Sequence, residues 1–129
     1  MRRVPVLLLA ATAAFTAAAG GPAPIEPKQL GERIAWADPS LVVLDVRTPA
    51  EFAEGHLPGA INIPHTELAS RLEELSRARE ADIVVYCRTG NRTAQALGIL
   101  ENAGFSRLFH LQGDYTRWSE KKRPVVRLQ

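Results

Sequence analysis

Runs of apolar residues alternate along the chain with segments in which apolar residues recur at helical spacing. The apolar runs predict strands at 41–46, 60–63, 83–86 and 107–111. Helical spacing predicts helices at 28–37 and 66–80. A further helix is predicted at 92–103, where Gly104 suits the position after the last helical residue, and a short one at 114–120. Continuous runs such as LVVLDV at 41–46 are typical of strands that are buried on both faces. The pattern therefore predicts an α/β domain with a mostly parallel central sheet flanked by helices.

Local signals add one more helix and set the limits of the domain. Thr48 suits an N-cap, Pro49 suits the first helical position, and Glu51 completes a capping box, so a helix is predicted to begin here. Residues 20–26 are rich in proline and glycine, which predicts a flexible lead. We therefore expect one ordered domain over residues 27–129.

The first 19 residues have the pattern of a secretory signal peptide. A short basic start is followed by sixteen uncharged residues at 4–19, and Ala17 and Ala19 are small enough for a signal peptidase. A membrane anchor needs about 20 apolar residues, and Pro5 interrupts this shorter segment. We expect cleavage after Ala19 and a periplasmic or secreted protein that is not attached to a membrane after cleavage.

Charge and cysteine content narrow the possible partners. The chain has 16 basic and 14 acidic side chains, and loss of residues 1–19 removes two arginines and so balances the two signs. The only basic cluster in the remainder lies at 121–123, so no nucleic-acid partner is expected. A single cysteine forms no internal disulfide. Cys87 is therefore either a buried apolar side chain or a reactive thiol.

The segment CRTGNR at 87–92 favours the reactive thiol. It follows a predicted strand and precedes a predicted helix, where open α/β sheets bind their ligands. Gly90 permits a positive φ, and loop amides together with a helix amino terminus attract negative charge. Arg88 and Arg92 add to the same field. A cysteine in such surroundings forms a thiolate more readily than a free thiol does.

Two segments, LDVRTPAEFAEGHLPGAINIP at 44–64 and CRTGNR at 87–92, resemble the motifs of rhodanese domains. The resemblance covers about residues 27–118 and is greatest to the single-domain exported rhodaneses of bacteria. It implies a three-layer rhodanese-like fold and an enzyme, a thiosulfate sulfurtransferase, that needs no cofactor. Sulfane sulfur would pass from thiosulfate, or a similar small anionic donor, to cyanide or a thiol acceptor, either a small molecule or a protein, through a Cys87 persulfide.

The resemblance also implies roles for the loop residues. Cys87 is the expected nucleophile, and the expected substrate-binding residues are Arg88, Thr89, Gly90, Asn91 and Arg92. The guanidinium of Arg88 is the side chain expected to contact the donor, and the hydroxyl of Thr89 is expected near the sulfur. Asn91 is expected to shape the turn. For Arg92 two roles remain open, contact with substrate or attachment of the loop to a carboxylate such as that of Glu51.

Outside the loop, Asp45 and Arg47 are the expected supporting pair. They end the strand beside the site, and a structural ion pair that positions the loop is favoured over direct catalysis. His56 is expected to be a hydrogen-bonded structural histidine. The family often carries a second glycine where this chain has Asp114, before Trp118, which is expected in the core. This departure leaves the choice of acceptor open.

Three other interpretations remain open. Phosphatases and arsenate reductases of the same fold use a Cys-x5-Arg loop, whereas Cys87 and Arg92 form a shorter Cys-x4-Arg loop that suits sulfur. A persulfide carrier or partner-binding module would keep Cys87 without turning over free thiosulfate. A metal site has weak support, because the three histidines lack close ligand spacing.

Overall fold

A computed structural model describes residues 2–3 and 21–129, and it contains five strands, five α-helices and one 3-10 helix. The strands are β1 (Ala23–Ile25), β2 (Leu41–Asp45), β3 (Ile61–Asn62), β4 (Asp82–Tyr86) and β5 (Leu108–Leu111). The α-helices are α1 (Pro27–Ala35), α2 (Pro49–Glu54), α3 (His65–Leu68), α4 (Asn91–Asn102) and α5 (Asp114–Glu120), and the 3-10 helix spans Leu72–Ala78. Apart from Arg2 and Arg3, the predicted signal peptide at 1–19 lies outside the described residues.

The five strands form one parallel sheet in the order β1-β5-β4-β2-β3. The central strand β4 pairs with β2 on one side and β5 on the other. Its residues 83–86 are buried and apolar, as expected for a strand covered on both faces. The predicted α/β fold with a parallel sheet is confirmed. Because all strands run the same way, the segments that follow β2, β4 and β5 meet at one edge of the sheet.

Helices cover both faces of the sheet, so the domain has three layers. Successive side chains of a strand point to opposite faces. Val85 accordingly packs in a cluster that includes Leu97 and Leu100 of α4, while Val84 packs in a second cluster that includes Leu30 of α1 and Trp118 of α5. Trp118 is only 1% exposed, so its predicted place in the core is confirmed.

The predicted start of α2 is also confirmed. The hydroxyl oxygen of Thr48 accepts a hydrogen bond from the Glu51 amide at 3.2 Å, and the Glu51 carboxylate accepts the Thr48 amide at 3.3 Å. Pro49 occupies the first helical position, where its missing N–H costs nothing. This reciprocal capping fixes Glu51 at the beginning of the helix.

Two segments differ from the prediction. Within the predicted flexible lead at 20–26, residues Ala23–Ile25 form β1, which pairs with β5 and buries Ile25. An edge strand tolerates Pro24, because the missing donor faces away from the ladder. The helix predicted over 66–80 is divided into α3 and the 3-10 helix. The amide and hydroxyl of Ser70 both donate to the Glu67 carbonyl, which replaces regular α-helical bonding at this point.

Among the described residues, no helix combines the length and the hydropathy that a bilayer span requires.

Candidate functional site

Cys87 is the first residue after β4, and its side chain is only 1% exposed. The chain turns through residues 88–90 and enters α4 at Asn91. Gly90 has a φ of 121°, a conformation that other residues rarely adopt, and its amide donates a hydrogen bond to the Cys87 Sγ at 3.0 Å. The sulfur therefore lies inside a loop with an amide directed at it, next to the amino terminus of a helix. Loop amides and helix amino termini are groups that favour negatively charged ligands.

The side chains of Arg88, Thr89 and Asn91 are exposed at the surface of the loop. The backbone beneath Arg88 is fixed, because its carbonyl accepts hydrogen bonds from the Thr116 amide at 3.2 Å and the Thr116 hydroxyl at 2.9 Å. The guanidinium of Arg88 is thus free to meet a solute. Within the described part of the chain, the Gly90 amide is the group that bonds the sulfur, and the hydroxyl of Thr89 makes no such bond.

Arg92 holds the loop to α2. Its two terminal nitrogens bond the two carboxylate oxygens of Glu51 at 2.6 and 3.0 Å, in a forked ion pair. The hydrogen bond from Arg92 is the main cause that lowers the pKa of Glu51 to about 2. Of the two roles predicted for Arg92, the geometry therefore realises the attachment to a carboxylate.

Asp45 and Arg47 form a buried ion pair directly beside the start of the loop. An Arg47 terminal nitrogen lies 2.7 Å from the Asp45 carboxylate and also donates to the Gly55 carbonyl at 2.6 Å. The guanidinium lies 4.1 Å from the ring centroid of Tyr115 and 5.5 Å from that of Tyr86. The pair thus joins β2 to the end of α2, to α5 and to the residue that precedes Cys87. The contacts of the Asp45–Arg47 pair are those of a structural ion pair that supports the Cys87 loop.

A cleft of about 480 Å³ opens beside the loop between α2 and α5. Arg47, Arg88 and Tyr115 line it together with the carboxylate side chains of Glu54 and Glu120. A Cβ on Gly55 would clash with the Tyr115 hydroxyl, so glycine at 55 allows this close approach. The cleft was not predicted, because its lining comes from three elements that are far apart in the sequence.

Asp114 lies under the loop, not at its rim. It is 2% exposed and has a φ of 52°, the left-handed conformation in which a glycine is more usual. One carboxylate oxygen accepts the Cys87 amide at 3.0 Å and the Thr93 hydroxyl at 2.9 Å. The other accepts a hydrogen bond from His110 Nε2 at 2.9 Å. Sequence reasoning missed this pairing, for which the four-residue spacing of His110 and Asp114 was the available signal.

The surroundings of Asp114 keep its carboxyl group ionised. Burial raises the pKa of this group, but the hydrogen bonds from His110, from the Cys87 amide and from Thr93 outweigh burial, so the pKa lies below its ordinary value. A negative charge therefore lies one hydrogen bond away from the backbone of Cys87.

The other histidine near the site is structural, as predicted. The ring of His56 stacks on Phe52 with the centroids 3.6 Å apart, and its Nδ1–H donates to the Phe52 carbonyl at 2.7 Å. Over residues 2–3 and 21–129, no group of three or more histidine, cysteine, aspartate or glutamate side chains is placed to hold a metal ion.

Comparison with known proteins places this fold and loop in one family. The family described as Rhodanese-like domain matches residues 26–121. A sulfurtransferase of Allochromatium vinosum is 36% identical over 102 residues, which cover 79% of this chain and 92% of the relative. A chloroplastic thiosulfate sulfurtransferase of Arabidopsis thaliana is 35% identical over 92 residues, which cover 64% of this chain and 77% of the relative. Two other relatives are longer proteins, and the match to this chain covers 25% of the length of each.

Solved structures agree with this assignment. A crystal structure of a rhodanese-related protein from Thermoplasma volcanium superimposes with a TM-score of 0.70 at 34% sequence identity. The match covers 81% of this chain and 97% of that protein. With its five-stranded parallel sheet and with a family match over most of its length, the chain belongs to the rhodanese-like family and is a sulfurtransferase of the rhodanese type.

Proposed function

We propose that the protein moves sulfane sulfur from thiosulfate, or from a similar small anionic donor, to cyanide or a thiol acceptor through a persulfide on Cys87. The observation that carries the proposal is the 3.0 Å hydrogen bond from the Gly90 amide to the Cys87 sulfur, at the end of β4. This amide donates to the sulfur that the mechanism uses as its nucleophile. The name of the Arabidopsis relative, a thiosulfate sulfurtransferase, supports thiosulfate as the donor.

In the first half-reaction the Cys87 thiolate attacks the outer sulfur of thiosulfate. A sulfur–sulfur bond forms to Cys87 while the sulfur–sulfur bond of thiosulfate breaks, and sulfite leaves with the electron pair of that bond. The exposed guanidinium of Arg88 balances the charge of the dianion as it approaches. The Gly90 amide remains bonded to the Cys87 sulfur.

In the second half-reaction an acceptor removes the terminal sulfur. Cyanide or a thiolate attacks that sulfur, the persulfide bond breaks, and its electron pair returns to Cys87 as a thiolate. The products are thiocyanate or the persulfide of the acceptor. Because Cys87 attacks as a thiolate, the chemistry needs no general base on the protein. Two covalent half-reactions predict ping-pong kinetics.

The proposal is tested by steady-state thiocyanate formation from thiosulfate and cyanide, with the wild-type protein beside Cys87→Ala and Cys87→Ser. Both variants are expected to lose activity completely, since an alanine offers no nucleophile and a serine hydroxyl remains protonated. Circular dichroism checks that the variants are folded. Activity that survives either substitution would overturn the mechanism.

Mass spectrometry after incubation with thiosulfate separates the proposal from its alternatives. The wild-type protein is expected to gain the mass of one sulfur atom on Cys87 and to lose it again on addition of cyanide. A protein that gains no sulfur is a partner-binding module. Hydrolysis of a generic aryl phosphate that disappears in Cys87→Ser would instead indicate a phosphatase, and either result contradicts the proposal.

We also propose that the protein acts in the periplasm or outside the cell after removal of residues 1–19. The support is the basic start, the uncharged segment and the small residues Ala17 and Ala19. Expression of the full chain in a bacterial host, followed by cell fractionation and mass measurement, tests this. A product that begins at Gly20 in the periplasmic fraction is expected, whereas an intact chain in the cytoplasm would contradict it.

A further inference from the structure

A buried carboxylate lies directly behind the loop that holds Cys87. Asp114 is 2% exposed, and it accepts the backbone amide of Cys87 at 3.0 Å. Its second oxygen would lie 3.2 Å from a Cβ placed on Gly90, so the carboxylate also lies next to Gly90. The amide of Cys87 is thus engaged by Asp114, and a negative charge faces the loop from inside the protein.

The charge of Asp114 is balanced only in part by its surroundings. From β5, His110 donates to the second oxygen, and this contact is an ion pair only when the imidazole is protonated. From α4, Thr93 contributes a neutral hydroxyl. The two arginines of the loop do not pair with Asp114, since Arg92 is paired with Glu51 and Arg88 is exposed. Within the described part of the chain, no lysine or arginine side chain forms an ion pair with this carboxylate.

This charge acts on any anion that the loop receives. The repulsion between two charges is proportional to their product and is strong where protein rather than water lies between them. A donor with two negative charges therefore loses about twice as much interaction energy as a donor with one. A neutral residue at position 114 would not discriminate between donors in this way.

We propose that Asp114 is a specificity-determining residue that disfavours doubly charged sulfur donors relative to singly charged ones. The inference rests on the proposed sulfurtransfer, and it concerns which donor the Cys87 loop accepts best. Asp114 touches the backbone of Cys87 and not the reacting sulfur, so its effect is expected on KM for the donor more than on kcat.

Asp114→Asn isolates the charge from the geometry. The amide oxygen of asparagine can accept the same two hydrogen bonds from Cys87 and Thr93, and its amino group can donate to a neutral His110. Asparagine also tolerates the left-handed conformation of residue 114 better than most side chains do. Asp114→Gly is a second variant, which removes the charge and fits the positive φ without strain.

The test compares thiosulfate, a dianion, with methanethiosulfonate, a monoanionic sulfane donor, at pH 8 with cyanide as acceptor. In Asp114→Asn, KM for thiosulfate is expected to fall about tenfold and KM for methanethiosulfonate about threefold, in proportion to donor charge. Asp114→Gly is expected to shift both values in the same direction. Glu73→Gln, which removes one charge from an exposed residue of the 3-10 helix, is the matched control and is expected to change neither.

Equal changes for the two donors, or no change in either KM, would overturn the charge-selectivity inference while leaving sulfurtransfer intact. A loss of kcat with unchanged KM in both variants would mean that Asp114 only maintains the fold of the loop, and it would also contradict the inference. If the wild-type protein turns over neither donor, the proposed function itself fails. Thermal unfolding of each variant confirms that the compared proteins are folded.

Discussion

At the scale of single residues, Gly90 is constrained both by its backbone and by the space behind it. Its φ is 121°, and a Cβ would lie 3.2 Å from an Asp114 oxygen and 3.6 Å from the His110 ring. Gly90→Ala must therefore shift the loop, at a strain of about 1–3 kcal/mol, and withdraw the amide from the Cys87 sulfur. We expect the rate of persulfide formation to fall at least about tenfold, since about 1.4 kcal/mol corresponds to a factor of ten.

Single-turnover consumption of thiosulfate measures this rate. Gly98→Ala is the matched control, because Gly98 lies in α4 with open space around it. Alanine in a helix is more favourable than glycine by about 0.5–1 kcal/mol, so this variant is expected to keep the rate and to be slightly more stable. If Gly90→Ala reacts as fast as the wild type, the amide of Gly90 does not activate the sulfur.

Residue types and their order reveal part of the site. CRTGNR predicts the cysteine, the glycine with positive φ and the nearby arginines, because all of these belong to one short loop. The contacts of Asp114 are not visible in the sequence, since they join the start of α5 to Cys87 and Thr93 across the sheet edge. For the same reason the sequence leaves two roles open for Arg92, whose partner Glu51 lies 41 positions away. Long-range partners depend on the fold and not on local pattern.

At the scale of elements, Glu51 ties the start of α2 to the start of α4. It caps α2 through Thr48 and pairs with Arg92. Glu51→Gln retains a side chain suited to the capping box but loses the ion pair. We expect the free energy of unfolding to fall by about 1 kcal/mol at pH 7, as for a partly exposed charged pair. Glu54→Gln, in the same helix, is the control and is expected to have little effect.

The pH dependence of this difference follows from the low pKa of Glu51. The pKa is about 2 in the folded protein against an ordinary value of 4.5, chiefly because of the hydrogen bond from Arg92. A lowered carboxyl pKa stabilises the fold fully above the ordinary value and loses this effect as pH falls toward the lowered one. The gap between wild type and Glu51→Gln should therefore narrow from pH 5 down to pH 2. Urea unfolding across this range measures the difference in the free energy of unfolding. A difference that does not change with pH would show that it does not come from the ion pair of Glu51 with Arg92.

The elements themselves differ in how well their pattern predicts them. β2 and β4 follow from strong local signals, namely continuous apolar runs. β1 was missed because three residues that include Pro24 carry almost no strand signal, and the strand forms through its pairing with β5. The break between α3 and the 3-10 helix was missed because Leu68, Leu72 and Leu75 keep helical spacing across it. The spacing of apolar residues predicts which side chains face the core. It does not predict whether the backbone hydrogen bonds are those of an α-helix or of a 3-10 helix.

At the scale of the whole molecule, the parallel sheet brings the parts of the site together. Cys87 follows β4, Arg47 follows β2, and Asp114 follows β5, so all three come to the same edge. Ion pairs and hydrogen bonds then join these segments: Arg92 to α2, Arg47 to the end of α2, and Thr116 of α5 to the backbone of Arg88. The loop is therefore held by α2 on one side and by α5 on the other. Its geometry depends on the stability of α2 in particular.

The end of the chain contributes to that stability. After α5 the chain returns to α2, where His56 and Val126 exchange two backbone hydrogen bonds of 3.0 and 2.8 Å, and the Leu128 amide donates to the Ala53 carbonyl at 3.0 Å. Deletion of residues 124–129 would remove these three bonds. It would also remove the bond from Trp118 Nε1 to the Pro124 carbonyl at 2.9 Å and the bond from Arg127 Nε to the Glu54 carbonyl at 3.0 Å. We expect it to lower the free energy of unfolding by about 3–5 kcal/mol, at about 1 kcal/mol for each bond and less for the exposed bond of Arg127.

Because α2 carries Glu51, the partner of Arg92, the deletion is also expected to loosen the loop and to lower the rate of persulfide formation. Urea unfolding and single-turnover kinetics measure the two effects, and hydrogen exchange should show lost protection at the His56 amide. Deletion of the exposed Gln129 alone is the control and is expected to change neither quantity. A truncated protein as stable and as reactive as the full domain would show that α2 is held by the ion pairs at the sheet edge and that the returning chain merely lies on its surface.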